Sequence, residues 1–144
     1  MGFDYQNNDY EIEVPLKLTP PRTDYNGDVL GDRQAVWPPI NQIHMVMEEL
    51  VELKQERNRM VREDPINYSP QSVYTKAVEV AFEGKSKINT IKVKGNPNFS
   101  NIRQVMLGVR NPGDGSFMKN DGLSKSAEIW VNELRLTDFN NRGG

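Results

Sequence analysis

The chain has 144 residues, a formal net charge of -2 and no cysteine, with 36% hydrophobic and 26% charged residues. That is enough apolar content for one core, and the balance of charge excludes a global positive field that would draw the chain to nucleic acid or anionic lipid. Disulfides, thiolate catalysis and cysteine-ligated zinc or iron–sulfur sites are excluded together, as is any apolar run near the ~18 residues of a membrane-spanning helix.

The first residues carry no secretion signal. The chain therefore reads as one soluble module, 1–144, cut from a larger protein. Residues 3–10 form a turn-rich approach, after which Tyr10, Ile12, Val14, Leu16 and Leu18 alternate with polar neighbours and predict a strand. Pro15 has no backbone donor, so that strand should be an edge or bulged one. From 19 to 42 the chain turns into a long Pro/Gly loop, with Trp37 expected to fold back as an apolar plug.

Residues 43–47 suit a short strand. Residues 48–62 are rich in helix formers, with Leu50, Leu53, Arg57 and Met60 at three-to-four spacing, acidic residues early, arginines late and Pro65 beyond. Residues 72–82 fit either a short helix or a strand, with the helix slightly favoured. Ile88, Ile91 and Val93 mark a strand that ends at the turn Gly95-Asn96-Pro97-Asn98. Lys85, Lys87, Lys92 and Lys94 would then occupy its solvent face. Residues 102–110 predict a further strand with a bulge, and 127–136 a final one with both faces partly covered. Short C-terminal connections argue against parallel crossovers, so the expected fold is mainly β with one prominent helix: an antiparallel β-sandwich, jelly-roll or galactose-binding-like, with a helical insertion.

No catalytic or cofactor-binding residue stands out. His44 is the only histidine and sits in an apolar run with no nucleophile motif nearby. Glu11 and Glu13 share one strand face, as outward polar residues do, and Glu128 and Glu133 read the same way. Gly113-Asp114-Gly115 lacks the lysine of a phosphate loop. Calcium is the one ion the residues suggest. Asp24, Asn26 and Asp28 place oxygens on alternate positions around Gly27, and Asp114 with Asp121 forms a second oxygen-rich loop. Trp37, Tyr10 and Tyr25 are the candidate interaction aromatics.

Several blocks carry a likeness. Tyr10-Glu11-Ile12-Glu13-Val14-Pro15-Leu16-Lys17-Leu18, Ala35-Val36-Trp37-Pro38, Leu53-Lys54-Gln55-Glu56-Arg57-Asn58, Gly95-Asn96-Pro97-Asn98, Val109-Arg110-Asn111-Pro112 and Glu128-Ile129-Trp130-Val131-Asn132-Glu133-Leu134-Arg135-Leu136 resemble the SprA family of gliding-motility and secretion proteins of the Bacteroidetes. The resemblance implies a place in the outer-membrane translocon of the type IX secretion system, a very large β-barrel with additional soluble domains. It implies a cell-envelope location, associated with the outer membrane, with either side of the membrane open. The implied role is that of a non-enzymatic structural or interaction module. Its partners would be other domains of the parent or accessory and cargo proteins, without nucleic acid and without membrane insertion of this stretch. The last block also resembles the closing strand of galactose-binding-like jelly rolls, which gives a carbohydrate- or calcium-binding module as the alternative.

Overall fold

A computed structural model describes residues 1–4, 6–82, 84–111 and 123–135. The chain divides into two compact units, Met1–Met106 and Leu107–Gly144. The first holds every regular element among the described residues: β1 (Gly2–Asp4), β2 (Asn8–Glu13), α1 (Leu30–Val36), α2 (Met47–Glu63), β3 (Tyr74–Phe82) and β4 (Lys85–Lys94), with single 3-10 turns at Pro39–Asn41 and Phe99–Asn101.

The four strands form one antiparallel sheet in the order β1-β2-β4-β3. Alternation along β4 decides what each face carries. Ile91 and Val93 lie opposite Ile12 and Tyr10 of β2 on one side, while Lys92 and Thr90 lie opposite Glu11 and Glu13 on the other. Helix α2 covers the first side with Leu50 and Leu53, both fully buried. With Tyr10, Ile91 and Val93 they make the core, which Ile12, Met45, Tyr74, Val78 and Phe99 flank. The Tyr10 ring stacks on Phe99 with centroids 5.0 Å apart. A fully buried leucine contributes about 1.5–3 kcal/mol, so this two-layer contact is the main source of order.

Helix α2 carries Glu48 and Glu49 in its first turn and Arg62 in its last, matching its dipole, and it ends at Glu63, two residues before Pro65. Its buried positions are Leu50, Leu53 and Arg57, the stripe expected from spacing. Residues 72–82 resolve as a strand from 74, not a short helix. Tyr74, Val78 and Val80 alternate with exposed Thr75, Ala77, Glu79 and Ala81, and period two wins because β4 offers a partner along the whole length.

Other expectations need correction. The approach to β2 holds strand β1, and β2 ends at Glu13, two residues before Pro15 removes a donor. Residues 43–46 carry no strand, and the loop 19–42 contains α1 and a 3-10 turn. Helix α1 has no buried residue. Polar contacts define it: Arg22 reaches Asp32 at 2.7 Å, Asn26 N donates to Asp32 at 2.9 Å and Arg33 donates to the Gly27 carbonyl at 2.9 Å. Trp37 is 51% exposed, so it plugs nothing in this unit. The described residues hold one sheet with a helix on it, rather than the stacked sheets of a sandwich or jelly roll.

Residues 102–110 form no strand. An isolated bridge from Gln104 to Gly2 is their only pairing among the described residues. The doubled apolar pattern there offers no single consistent face. Residues 127–135 of the second unit also form no strand, and all of them are exposed, so neither face is covered. Leu136 lies outside the described residues. Alternation states which side chains would share a face, but a ladder also needs a partner.

Candidate interaction surface

The two edges of the sheet differ in length and in protection. The β1 edge is three residues long with a register shift. Gly2 N donates to the Gln104 carbonyl at 3.3 Å and Arg103 N donates to the Gly2 carbonyl at 3.2 Å, so later chain covers it. Gly2 is required there because a Cβ would overlap the Asn8 carbonyl oxygen.

The β3 edge is the opposite case. All nine residues pair with β4 without a shift. Among the described residues no backbone hydrogen bond is made on its outer side. It contains no proline or bulge, and its charged residues are Lys76 and Glu79.

Side chains from α2 fix this open strand in place. Glu56 accepts from the Tyr74 hydroxyl at 3.1 Å and from Lys76 Nζ at 2.9 Å. The lysine hydrogen bond holds the Glu56 carboxyl below its ordinary range, and Glu56 in turn raises Lys76. Burial, then Glu56, raises the Tyr74 hydroxyl. At the entry to β3, Arg57 Nη1 donates to the Pro70 carbonyl at 2.9 Å.

Arg57, like Lys54 and Lys87, donates to backbone carbonyls in buried or part-buried contacts. It is 2% exposed, and its Nη2 donates to the Gly95 carbonyl at 2.7 Å while its Nε donates to Asn58. Gly95 sits at φ 68 with the Asn7 carbonyl against it, a position that tolerates no side chain. Lys54 Nζ donates to the Pro97 carbonyl at 2.7 Å. Lys87 Nζ donates to the carbonyls of Ile40 and Gln42 at 2.7 and 2.8 Å. Burial lowers all three groups from their ordinary values, most simply in Lys87, where it is the sole cause. Their arrangement pins loops and leaves little for an anionic ligand. The expectation that Lys87 faces solvent fails, because it lies on the α2 side of β4 under residues 40–42. Lys54 and Lys87 were illegible as pins in sequence, since a carbonyl partner leaves no residue-type signal.

The other candidate residues are scattered. Glu11 and Glu13 both face Lys92, whose Nζ lies 2.9 Å from each, so the two carboxylates share one ammonium. His44 is exposed. In the Asn26 loop, Asp24 pairs with Arg22 at 2.7 Å, and the Asn26 side chain accepts from Asp28 N at 2.9 Å. Asp114 and Asp121 lie outside the described residues. Among those described, no group of three or more His, Asp or Glu could hold a metal ion. Tyr10 is a core residue at 3% exposure, and the Tyr25 hydroxyl donates to the Pro20 carbonyl with Arg22 over its ring. A depression of about 390 Å³ beside the start of β3 is lined by Arg57, Tyr68, Ser69, Tyr74 and Thr75; its guanidinium is already bonded to backbone.

The second unit exposes apolar side chains of another kind. In 127–135, Ile129 is 37%, Trp130 75%, Val131 61% and Leu134 68% exposed. Two contacts, Trp130 Nε1 to Glu128 at 2.8 Å and Arg135 to Glu133 at 2.8 Å, join side chains two apart. Residues i and i+2 share a side in extended backbone, so the stretch presents strand-like faces without a ladder.

Comparison with known proteins gives one relation. The model of the SprA_N family, described as motility related/secretion protein, matches residues 1–144. No curated protein and no solved structure matches. No helix among the described residues is long and apolar enough to cross a membrane.

Proposed function

Since the chain belongs to the SprA_N family of motility related/secretion proteins, we propose that it is a non-catalytic interaction module of a type IX outer-membrane secretion and gliding-motility protein. It sits in the cell envelope and binds other domains of its parent or neighbouring proteins by adding a strand to its sheet. The observation that carries this reading is the nine-residue β3 edge, regular in register and open on its outer side. Backbone groups on such an edge supply directional hydrogen bonds, and the alternating side chains select the partner. The clamping of Tyr74 and Lys76 by Glu56 reduces the entropy lost when a strand docks.

The test is made in the full-length parent protein with Ala77→Lys and Ala81→Lys together. Both positions are exposed, and lysines there blunt an edge while leaving the core alone. Secretion and gliding should fall at least about tenfold, the effect of ~1.4 kcal/mol of lost affinity, with abundance and envelope location unchanged. Undiminished secretion with the doubly substituted protein would overturn the reading.

A further inference from the structure

We propose that the depression beside the start of β3 is a carboxylate-binding site with Arg57 as its cation. What little Arg57, Lys54 and Lys87 leave for an anion is concentrated there. A guanidinium has five N–H donors. Arg57 uses one at each nitrogen: Nε to Asn58, Nη1 to the Pro70 carbonyl and Nη2 to the Gly95 carbonyl. One proton on each terminal nitrogen remains.

Carbonyl and amide oxygens accept protons without cancelling a formal charge. Arg57 is 2% exposed, yet among the described residues no carboxylate pairs with it. Removing a charge from water without an ionic partner is costly, and burial lowers Arg57 from its ordinary value against the opposing effect of Tyr10. Lys54, one turn earlier on α2, is lowered first by burial and then by Arg57 as a like charge. The guanidinium's charge is therefore still felt beyond its carbonyl partners.

The walls of the depression suit an oxyanion. Its volume is about 390 Å³, and besides Arg57 its lining includes Tyr68, Ser69, Ser72 and Thr75, with no acidic residue. Ser69 Oγ accepts from Gln71 N at 3.2 Å, which leaves its own O–H to donate. Hydroxyl rotors of this kind turn to meet whatever acceptor enters.

The surrounding charge selects the class of anion. Glu56 accepts from Tyr74, and Asp64 accepts from Asn67; both donors line the depression. With two carboxylates already bonded to its lining, a phosphate dianion would bring more negative charge than one guanidinium balances. A carboxylate matches it one for one. The site does not rest on strand addition to the outer side of β3, so its failure leaves that reading standing.

The test titrates the isotopically labelled full chain, followed by nuclear magnetic resonance, with acetyl-Ala-Glu-Ala-amide, acetyl-Ala-Gln-Ala-amide, sodium acetate and inorganic phosphate. The glutamate peptide should move the Arg57 Nε–H and the amides of Ser69, Gln71 and Ser72, with a Kd at least about tenfold below that of the glutamine peptide, as charge-assisted hydrogen bonds require. Acetate that binds as tightly as the glutamate peptide would assign the site to a free small carboxylate, and weaker acetate binding would assign it to an acidic residue of a protein. Equal affinity for the two peptides, an absence of shifts at these groups, or tighter binding of phosphate than of either carboxylate would overturn the proposal. Because Arg57 variants lose stability, Ser72→Asp supplies the second arm: Ser72 is exposed, and a carboxylate placed there should weaken binding of the glutamate peptide at least about tenfold relative to Ser72→Asn by occupying and repelling. Unchanged binding by Ser72→Asp would equally overturn it.

Discussion

The two edge strands of this sheet are built from the same backbone chemistry and end in opposite states. Strand β1 is short, shifted in register and bridged to Gln104, while β3 is three times as long, regular and open. The difference lies in what the flanking chain does. Residues 103–104 return to β1 and use its outer groups. Among the described residues, β3 is held by β4 through the ladder, by Glu56 of α2 and by the Tyr68 ring against Tyr74. Among the described residues β3 makes no backbone hydrogen bond on its outer side, whereas β1 is overlaid by its own chain.

The largest expected effect comes from removing the shared support of β3 and β4. Arg57→Ala leaves the Gly95 carbonyl without this donor and removes one of two donors from the Pro70 carbonyl, which keeps the Gly95 N–H at 2.7 Å. At roughly 1–3 kcal/mol for the buried Gly95 carbonyl and about 0.5–1.5 kcal/mol for the hydrogen bond lost at Pro70, the cost should be about 2–4 kcal/mol, read as a lower urea midpoint with an unchanged slope. Arg57→Lys should recover only part of it, because a point charge cannot span both carbonyls. Stability unaffected by Arg57→Ala would show that the pin is dispensable and that packing alone orders β3.

A smaller effect should separate the edges. Gly2→Ala places a Cβ on the Asn8 carbonyl and so expels β1, costing about 1–3 kcal/mol in the range usual for strained backbone substitutions. Hydrogen exchange should then quicken at the β2 amides that face β1 while β3 amides bonded to β4 keep their protection. Loss of protection at both edges together would mean that the sheet opens as one unit and that the contrast between them is only geometric.

The smallest effect tests the electrostatic clamp. Glu56 has its pKa lowered beneath the ordinary 4.5, first by the Lys76 hydrogen bond. Its contribution is therefore complete above pH 4.5 and lost as pH falls through the lowered folded value. Lys76 is raised above 10.5, so its share is complete below pH 10.5 and lost as pH rises through the raised value. Both groups are partly exposed, which limits the pair to under about 1 kcal/mol. Glu56→Gln should reduce the acid-side slope of stability against pH in denaturation series, and an unaltered slope would place that titration in other carboxylates.

The legibility of the fold follows the reach of each signal. Helix α2 was readable because Leu50, Leu53 and Arg57 repeat at helical spacing within one element. The alternation in 10–13 and 88–93 was readable for the same reason. The stretch 74–82 satisfied two periods at once, and the presence of β4 alongside it broke the tie. The stretches 102–110 and 127–135 show the limit from the other side, since their alternation is strand-like but no ladder forms. The open edge itself was anticipated only as a general property of edge strands, and Pro15 directed attention to β2, which lies inside the sheet.

By itself the sequence determined the family, the long helix and its buried stripe, the strand character of β2 and β4, and the lack of any cysteine chemistry. These depend on residue type and on neighbours a few positions apart. Tertiary structure decided which strand lies at the rim, which lysine is buried, and where Arg57 sends its guanidinium. Those outcomes depend on carbonyl oxygens and ladder partners from distant chain, and every residue carries a carbonyl, so no letter in the sequence marks the ones that are used.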